Sequence, residues 1–469
     1  MIAHTRLQKH NRRVKEYSEK DKITNGVALK RNALDMPENS EAFKDQGYTR
    51  PKVLLLCPTR GVALVYLKKL FGAAGNLAYI DGYDRFLDDY SVNRDEAKTD
   101  ADHKERVLMS KSKDWQDLFG EEVNDDDDFK LGISVVNSRK KDMGKKFGFK
   151  LYTDFMKSDI IVASPLALKM HIERDDNADF LSSIEICNVI YSDALLMQNW
   201  DHVTSVLGRI NQQPKNLNDT DFSRVRKYCL DGHAKYWRQL IMISPFKDPS
   251  FLASFRRHAC SLEGRTQINS KVGISEASIC DVDVKVKQVF QRVLCQSISN
   301  QKEEKLNYFR DRVLPQLLKL KQKHTLIYIP SYFDFVAVRN LLMNKEANFV
   351  SVTEYARVSE VSRGRSRFQQ GRKHIMLYTG RCHFFKRHKI KGIRHIIFYG
   401  LPEHSMFYSE MINVLNNIGK TDIDVDLESP NSCLSIFTKY DSHSLERIVG
   451  TSHCEHMIRS TKCTFLFNS

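Results

Sequence analysis

The sequence contains no apolar run near the roughly 20 residues that a membrane span requires. Its N-terminus, MIAHTRLQKHNRRVKEYSEK, is basic but lacks the apolar core of a secretory signal. None of the ten cysteines forms a C-x-x-C pair, and several lie in apolar runs, as Cys57 does in LLLCP. These absences predict an intracellular protein with reduced, buried thiols and no membrane contact.

A phosphate-binding loop is also missing. P-loop enzymes need G-x-x-x-x-G-K-[ST], because backbone N–H groups wrap the phosphates while the lysine neutralises them. The nearest match is Gly419-Lys420-Thr421, but Val414 stands where the first glycine is needed, and we interpret it as a surface turn. Near the C-terminus, a cluster of histidine and cysteine lacks any standard zinc spacing. Its members are His453, Cys454, His456 and Cys463. We therefore expect no metal and no cofactor.

The composition indicates a globular protein with a polyanionic partner. The 469 residues suit two or three domains, and 41% of them are apolar, which is enough for substantial cores. The formal net charge is +15, and a surplus of this size usually means a partner such as nucleic acid. A basic protein that is merely soluble is the alternative interpretation.

Short apolar runs alternate with helical stretches over residues 49–260. Val53–Cys57 (VLLLC) ends at Pro58, and such a run is typical of a strand buried on both faces of a parallel sheet. Further strands are predicted at Asp159–Ala163, Ile184–Tyr191 and Gln239–Ile243. This alternation predicts βαβ units.

A second alternating block covers residues 306–469. It begins with a helical candidate at Leu306–Lys321, and strand-like runs occur in SCLSIFTKY and KCTFLF. Four more strands are predicted at Thr325–Ile329, Phe349–Val352, Ile375–Tyr378 and His395–Tyr399. The pattern predicts an α/β protein with two domains in tandem.

The remaining segments are interpreted as connections. Residues 1–48 are polar and predict a basic, partly helical extension. Residues 81–128 are highly charged, end in Asp125–Asp128, and predict a solvated surface insertion in the first domain. Residues 261–305 are of mixed character and predict a linker.

Two α/β domains on a basic chain suggest a helicase-like frame, but its catalytic groups are incomplete. An acidic pair should end a buried strand to hold Mg²⁺, yet Ser192-Asp193-Ala194-Leu195 retains one carboxylate. For Asp193 we favour a helix-capping role. The segment EHSMFYSEMINVLNNIG (403–419), where an arginine finger is expected, contains no arginine. With the missing P-loop, these absences predict a protein that is not an enzyme and has no small-molecule substrate.

Three basic segments are candidates for RNA binding: Lys140–Lys150, Arg363–Phe368 and Phe384–His395. The last interleaves aromatic and basic residues, as single-stranded RNA surfaces do, and we expect it on a loop at the cleft edge. The candidate residues are Arg363, Arg365, Arg367, Phe384, Phe385, Lys386, Arg387, Lys389, Lys391 and Arg394. Solvated faces without a ligand, or protein-binding surfaces, are the alternatives.

Several short motifs resemble those of DEAD-box helicases. Pro58-Thr59-Arg60 resembles the PTR motif, which implies that Arg60 contacts RNA phosphate. Ser164-Pro165 resembles the next RNA-contacting loop. Ser192–Leu195 stands at the DEAD-box position, and Ser244–Phe246 at that of SAT. The resemblance implies two tandem RecA-like domains, helicase-like but degenerate.

Longer stretches resemble one family more specifically. DQGYTRPKVLLLCPTR (45–60), DIIVASPLAL (159–168) and above all HFFKRHKIKGIRHIIFYGLPEHSMFYSEMIN (383–413) resemble the digestive-organ-expansion-factor family, the U3 small nucleolar RNA-associated protein 25 family. That resemblance implies a nucleolar component of the small-subunit processome that binds pre-rRNA or U3 small nucleolar RNA, together with processome proteins, in 18S rRNA processing. It also implies that the first domain is incomplete. An active RNA helicase whose P-loop lies upstream, and an adaptor that binds only proteins, are the alternatives.

Overall fold

The structure, a computed structural model, describes residues 44–75, 78–91, 112–120, 123–137, 147–216, 220–268, 271–319, 323–416 and 431–468. It divides into two compact units, with the boundary between Gln267 and Ile268. Most of the predicted extension at 1–48 lies outside the described residues, and so does Gly419-Lys420-Thr421. Among the described residues, no helix has the length and apolar character needed to cross a membrane.

The first unit is built on a mostly parallel sheet. The described part of this sheet has the order β2-β4-β3-β5-β1-β6-β7. The strands are β1 Val53–Leu56, β2 Ala78–Asp81, β3 Lys130–Asn137, β4 Phe147–Lys150, β5 Ile160–Ala163, β6 Ile186–Val189 and β7 Gln239–Met242. Strands β5, β1, β6 and β7 run parallel, whereas β3 is antiparallel to both β4 and β5.

The core of the first unit lies around the central strands. Leu54 of β1 pairs in register with Ile161 of β5 and Cys187 of β6, and all three are fully buried. Leu168 and Val206, from two flanking helices, belong to the same core. The predicted buried strands are therefore confirmed, because continuous apolar runs can only be accommodated between two helical layers.

Several helices of the first unit begin shortly after a strand. The described helices of this unit are α1 Arg60–Ala74, α2 Tyr83–Tyr90, α3 Lys113–Phe119, α4 Pro165–Asp175, α5 Ser192–Arg209, α6 Lys227–Leu230 and α7 Pro249–His258. The Ser164 hydroxyl accepts a hydrogen bond from the N–H of Ala167 at 3.0 Å, and Pro165 occupies the first helical turn. This N-cap explains why α4 begins immediately after β5.

The charged insertion at 81–128 differs from the prediction of a solvated loop. Its described residues include α2 and α3, which bury Phe86 and Tyr90, and Trp115 and Leu118, respectively. Residues 92–111 lie outside the described part. The many charged residues made the helical pattern hard to recognise in the sequence. In these helices a few large apolar side chains are buried, while acidic side chains lie on the other side.

The second unit has its own sheet, with the order β10-β11-β9-β12-β13-β8-β14 in the described residues. The strands are β8 Lys287–Arg292, β9 Thr325–Ile329, β10 Phe349–Val352, β11 Ile375–Thr379, β12 His395–Phe398, β13 Ser432–Phe437 and β14 Thr464–Asn468. All neighbours run parallel except β14, which is antiparallel to β8. The two sheets confirm the predicted fold of two tandem RecA-like α/β domains.

Helices flank this second sheet as well. They are α8 Gln301–Tyr308, which continues through the π turn Phe309–Val313 into α9 Leu314–Lys319, α10 Tyr332–Asn344, α11 Val358–Gln369, α12 Gly380–Lys386, α13 Met406–Asn413, α14 Ser442–Val449 and α15 Thr451–Arg459. Phe309, Phe335 and Leu342 are fully buried against the sheet.

The predicted linker at 261–305 requires a correction. It contains β8, which pairs with both β13 and β14 and so lies inside the second sheet. Its inward positions include Gln288 and Arg292, which are buried although polar. The second unit therefore begins well before residue 306.

Candidate nucleic-acid interface

Four sequence motifs meet at the carboxyl edge of the first sheet. Pro58–Arg60 follows β1, Ser164-Pro165 follows β5, Ser192–Leu195 follows β6, and Ser244–Phe246 follows β7. Parallel strands end at the same edge, so the loops that follow them are neighbours. The Ser192 N–H, for example, donates to the carbonyl of Ile243 at 2.9 Å. The structure thus places these motifs together at one edge of the sheet.

The degenerate acidic position is buried. Ser192, Asp193, Ala194 and Leu195 form the first turn of α5, and Asp193 is only 4% exposed. Burial raises the pKa of the Asp193 carboxyl to about 6, although backbone N–H groups of Asp193 and Ala194 act in the opposite direction. The N-cap is Tyr191, so Asp193 supports the first turn from inside the helix instead of capping it as predicted.

Arg60 is engaged by the chain itself. Its guanidinium lies 2.9 Å from the carboxylate of Asp126 and donates to the carbonyls of Asp89 and Asp128 at 3.1 and 2.8 Å. The Arg60 N–H also donates to the carbonyl of Asp126 at 2.9 Å, and that of Gly61 to Asn124 at 2.8 Å. An RNA phosphate could reach Arg60 here only by displacing this acidic segment.

The segment Phe384–His395 is not the exposed loop that the sequence predicts. Its first residues belong to α12, in which Phe384 is 4% exposed and packs 5.4 Å from the ring of His404. Arg387 is 7% exposed, lies 3.5 Å from Glu410 and stacks over Phe407 at 4.5 Å. Both residues are therefore structural in this fold, because Phe384 of α12 and the following residue Arg387 pack against the segment His404–Glu410.

The other basic residues of the prediction lie on two neighbouring elements. Arg365 of α11 donates to the carbonyl of Lys389 at 2.6 Å, which fixes the chain after α12 against α11. We name the cations of these two elements the basic ridge. It comprises Arg363, Arg365, Arg367, Lys386, Lys389 and Lys391, of which all but Arg365 are exposed.

The basic ridge does not reach the carboxyl edge of its sheet. Arg394, half-buried at its end, precedes β12, and its N–H donates to the carbonyl of His324, just before β9, at 2.9 Å. The ridge therefore leads to the amino edge, which corrects the expected position at a cleft. Phe385 is half-buried beside Arg381 at 5.9 Å, so the ridge offers cations and no free ring. Of the third predicted basic segment, Lys140–Lys150, residues 140–146 lie outside the described part of the chain.

Sequence reasoning missed a set of aromatic residues at the carboxyl edge of the second sheet. Tyr332 follows β9 and Tyr355 follows β10, and their rings lie 5.2 Å apart. Arg381, after β11, donates to the Tyr355 hydroxyl at 3.2 Å. Phe333 is 79% exposed and Tyr355 is 65% exposed. The sequence could have indicated these residues by their position, since each one follows a predicted strand within a few residues.

Two family models match the chain. The model for the UTP25, NTP hydrolase-like domain matches residues 2–266, and that for the Utp25, C-terminal domain matches residues 278–467. Together they correspond to the two α/β units described above.

Curated relatives carry related names. The U3 small nucleolar RNA-associated protein 25 of Botryotinia fuckeliana is 37% identical over 458 residues, which cover 95% of this chain and 60% of that protein. The human homolog of the same name is 34% identical, with coverage of 92% and 54%. Protein NUCLEOLAR FACTOR 1 of Arabidopsis thaliana is 35% identical, with coverage of 92% and 56%. The chain thus spans less than two thirds of these relatives' length.

Two solved structures were also found to be similar to the chain. Saccharomyces cerevisiae Dbp5 bound to RNA and ADP BeF3 matches with 12% identity and a TM-score of 0.27, over 87% of this chain and 75% of that chain. A DEAD box protein from Methanococcus jannaschii matches with 12% identity and a TM-score of 0.26, over 89% and 84%. At such scores the fold assignment rests on the sheet order and register given above. With both of its characteristic domains matched from residue 2 to residue 467, the chain belongs to the UTP25 family.

Proposed function

We propose that this chain is a non-catalytic, helicase-like component of the nucleolar small-subunit processome, where it binds RNA and assembly factors during pre-18S rRNA processing. Its family membership supports a role in ribosome biogenesis, since the curated relatives are named for association with U3 small nucleolar RNA. The RNA partner is pre-rRNA or U3 small nucleolar RNA itself. The net charge of +15 suits either polyanion.

The non-catalytic part of the proposal rests on the state of the phosphate machinery. The 469 residues contain no P-loop, and the acidic position after β6 retains a single carboxylate. That carboxylate, of Asp193, is 4% exposed within the first turn of α5. Purified chain should therefore release no phosphate from ATP, with or without RNA. RNA-stimulated turnover would replace this proposal with that of an active helicase.

The basic ridge carries the RNA-binding part. The Arg365–Lys389 contact at 2.6 Å holds α11 and the chain after α12 together, and both elements carry exposed cations. Because no exposed ring accompanies them, these cations suit phosphate contacts that do not distinguish sequence. Such contacts produce a characteristic dependence of affinity on salt.

A salt titration tests the basic ridge. We compare wild-type chain with a Lys386→Gln, Lys389→Gln, Lys391→Gln variant by fluorescence anisotropy of a labelled single-stranded oligouridylate. Each lost phosphate contact should reduce the slope of log affinity against log salt by about 0.7, so the triple variant should lose about 2.

The control variant carries Lys68→Gln and Lys69→Gln, which neutralise exposed cations on α1 of the first unit. Its slope of log affinity against log salt should differ from the wild-type slope by less than about 0.7, the value for one phosphate contact. An unchanged slope in the triple variant would remove the basic ridge from the proposal. A wild-type chain that binds no RNA even at low salt would favour the adaptor that binds only proteins.

A further inference from the structure

A cluster of aromatic and basic side chains lies at the amino edge of the first sheet, opposite the edge that carries Arg60. The segment Arg226–Arg238 (RKYCLDGHAKYWR) leads directly into β7. The N–H of Gln239 donates to the carbonyl of Glu185, just before β6, at 2.8 Å. The Glu185 carboxylate in turn lies 3.3 Å from Lys52, which precedes β1. The cluster is therefore located where three parallel strands begin.

Trp237 is the exposed ring of this cluster. It is 57% exposed and stacks on Tyr228 with ring centres 5.0 Å apart and planes inclined by 26°. The Tyr228 hydroxyl accepts a hydrogen bond from Arg226 at 2.8 Å, which fixes the supporting ring. The chain's other two tryptophans differ: Trp115 is 8% exposed, and the indole N–H of Trp200 donates to Ser254 at 2.9 Å.

A small satellite core holds this arrangement in place. Val225, Cys229 and Ala234 are buried together, with Tyr48 and Tyr228 packed against them. The Tyr48 hydroxyl donates to the carbonyl of Cys229 at 3.0 Å. The backbone that carries Trp237 is thus rigid, so the indole is presented to solvent at little further cost in conformational entropy.

The charges around Trp237 are predominantly positive. Lys227 and Lys235 are exposed, and the Lys235 ammonium lies 5.1 Å from the ring of Tyr236. Arg257, exposed at the end of α7, approaches the same edge, since Arg238 donates to the carbonyl of the adjacent His258 at 2.6 Å.

Acidic groups near Trp237 leave this positive balance in place. Glu185 is occupied by Lys52 and Arg226, each 3.3 Å away. Two exposed carboxylates also lie near the exposed cations Lys227, Lys235 and Arg257: Asp231, and Glu263, whose neighbour Leu262 donates its N–H to the carbonyl of Tyr236 at 3.0 Å.

We propose that this Trp237 surface, made of Arg226, Lys227, Tyr228, Lys235 and Trp237, binds single-stranded RNA by stacking an unpaired base on the indole. An exposed ring beside cations combines the two contacts that unpaired nucleotides offer, a base face and a phosphate. The positive surroundings favour this polyanion over a protein with an apolar anchor. The inference rests on the proposed RNA-binding function and adds a second surface that reads unpaired bases.

The experiment uses the full chain and a labelled oligouridylate. RNA should quench tryptophan fluorescence in the wild type and leave it unquenched in a Trp237→Phe variant. Trp237→Ala should weaken affinity roughly 10-fold, because stacking on an aromatic residue contributes about 1–3 kcal/mol per base. Trp237→Phe should recover most of that loss. A Leu294→Ala control removes an apolar side chain that is 68% exposed in the second unit and should leave affinity within about 2-fold.

The outcomes separate this proposal from the general one. If the chain binds RNA with a salt slope that depends on the basic ridge, while Trp237→Ala binds as tightly as wild type without any quenching difference, the Trp237 surface is not an RNA site. In that case the exposed Trp237 ring would be interpreted as a contact for a protein partner. If the wild type binds no RNA at all, the proposed function fails and this inference fails with it. Circular dichroism of each variant confirms that the comparison is made on folded protein.

Discussion

Replacing Asp193 by asparagine tests whether the remaining carboxylate of the degenerate acidic position is structural. Asp193 is 4% exposed, and burial raises its pKa to about 6 from the ordinary 3.8. This difference corresponds to about 3 kcal/mol between the charged and neutral forms, as an upper estimate. Asparagine has nearly the same shape and no charge, so it removes that penalty and keeps one acceptor oxygen for the backbone N–H groups.

The sign of the effect depends on pH. Because the folded pKa lies above the unfolded one, the native state binds more protons between pH 3.8 and about 6. The carboxylate therefore destabilises the fold fully above pH 6, and this penalty disappears as the pH falls toward 4. Asp193→Asn should raise the free energy of unfolding by up to about 3 kcal/mol at pH 8 and change it little at pH 4.

Urea unfolding followed by tryptophan fluorescence measures this effect. Trp115, Trp200 and Trp237 are the chain's only tryptophans and all belong to the first unit, so the signal reports on the unit that contains Asp193. Asp201→Asn, an exposed position on α5, is the matched control and should leave stability unchanged at both pH values. A loss of stability at pH 8 would show that the carboxylate is needed in its charged form. A gain of equal size at pH 4 would show that the stabilisation does not come from removing the charge.

Two further predictions concern ion pairs of the first unit. Asp159 is buried and accepts hydrogen bonds from Arg50 at 2.7 and 3.0 Å and from the Val135 N–H at 2.7 Å, so Asp159→Ala should lower the free energy of unfolding by about 2–3 kcal/mol. Asp175→Ala, which removes an exposed pair with Arg174, should leave the urea midpoint in place, and equal losses would contradict the reasoning. Asp126→Asn releases one ion pair of Arg60 and should raise oligouridylate affinity about 2-fold in anisotropy measurements, provided that Arg60 contacts phosphate. Unchanged affinity would exclude Arg60 from the RNA contacts.

The central strands could be predicted because each is a continuous apolar run, whereas strands with polar inward positions could not. In β8, Gln288 is 1% exposed and accepts a hydrogen bond from the Tyr408 hydroxyl at 2.7 Å. Arg292 is 8% exposed and donates to carbonyls of Met457 and Ser460 at 2.8 and 2.6 Å. These partners lie more than a hundred residues away, so nothing local marks KQVFQR as a buried strand and the segment resembles a linker.

The candidate site shows a similar division between local and distant information. Clusters of basic residues in the sequence predicted exposed cations at the basic ridge. Exposed lysine and arginine side chains depend little on distant parts of the chain, so local sequence is enough to expect them. It failed for Phe384 and Arg387, since an alternation of rings and cations is equally consistent with an amphipathic helix. The decisive contact of Arg387 with Glu410, at 3.5 Å, depends on a helix 23 residues further along the chain. For Arg60 the competing ligand, Asp126, likewise comes from a distant segment.

These contacts show how two charged side chains at the carboxyl edge of the first sheet are already used within the chain. At its carboxyl edge, Asp193 is buried in a helix and Arg60 is paired with the chain's own Asp126 carboxylate, so both side chains are already enclosed or engaged within the fold. Buried and paired charges are poor ligands, because a substrate must first replace their existing partners. At the amino edge, by contrast, Trp237 is exposed and lies beside the exposed Lys227 and Lys235. Binding surfaces on such a protein are therefore expected away from the edge where phosphate chemistry would take place.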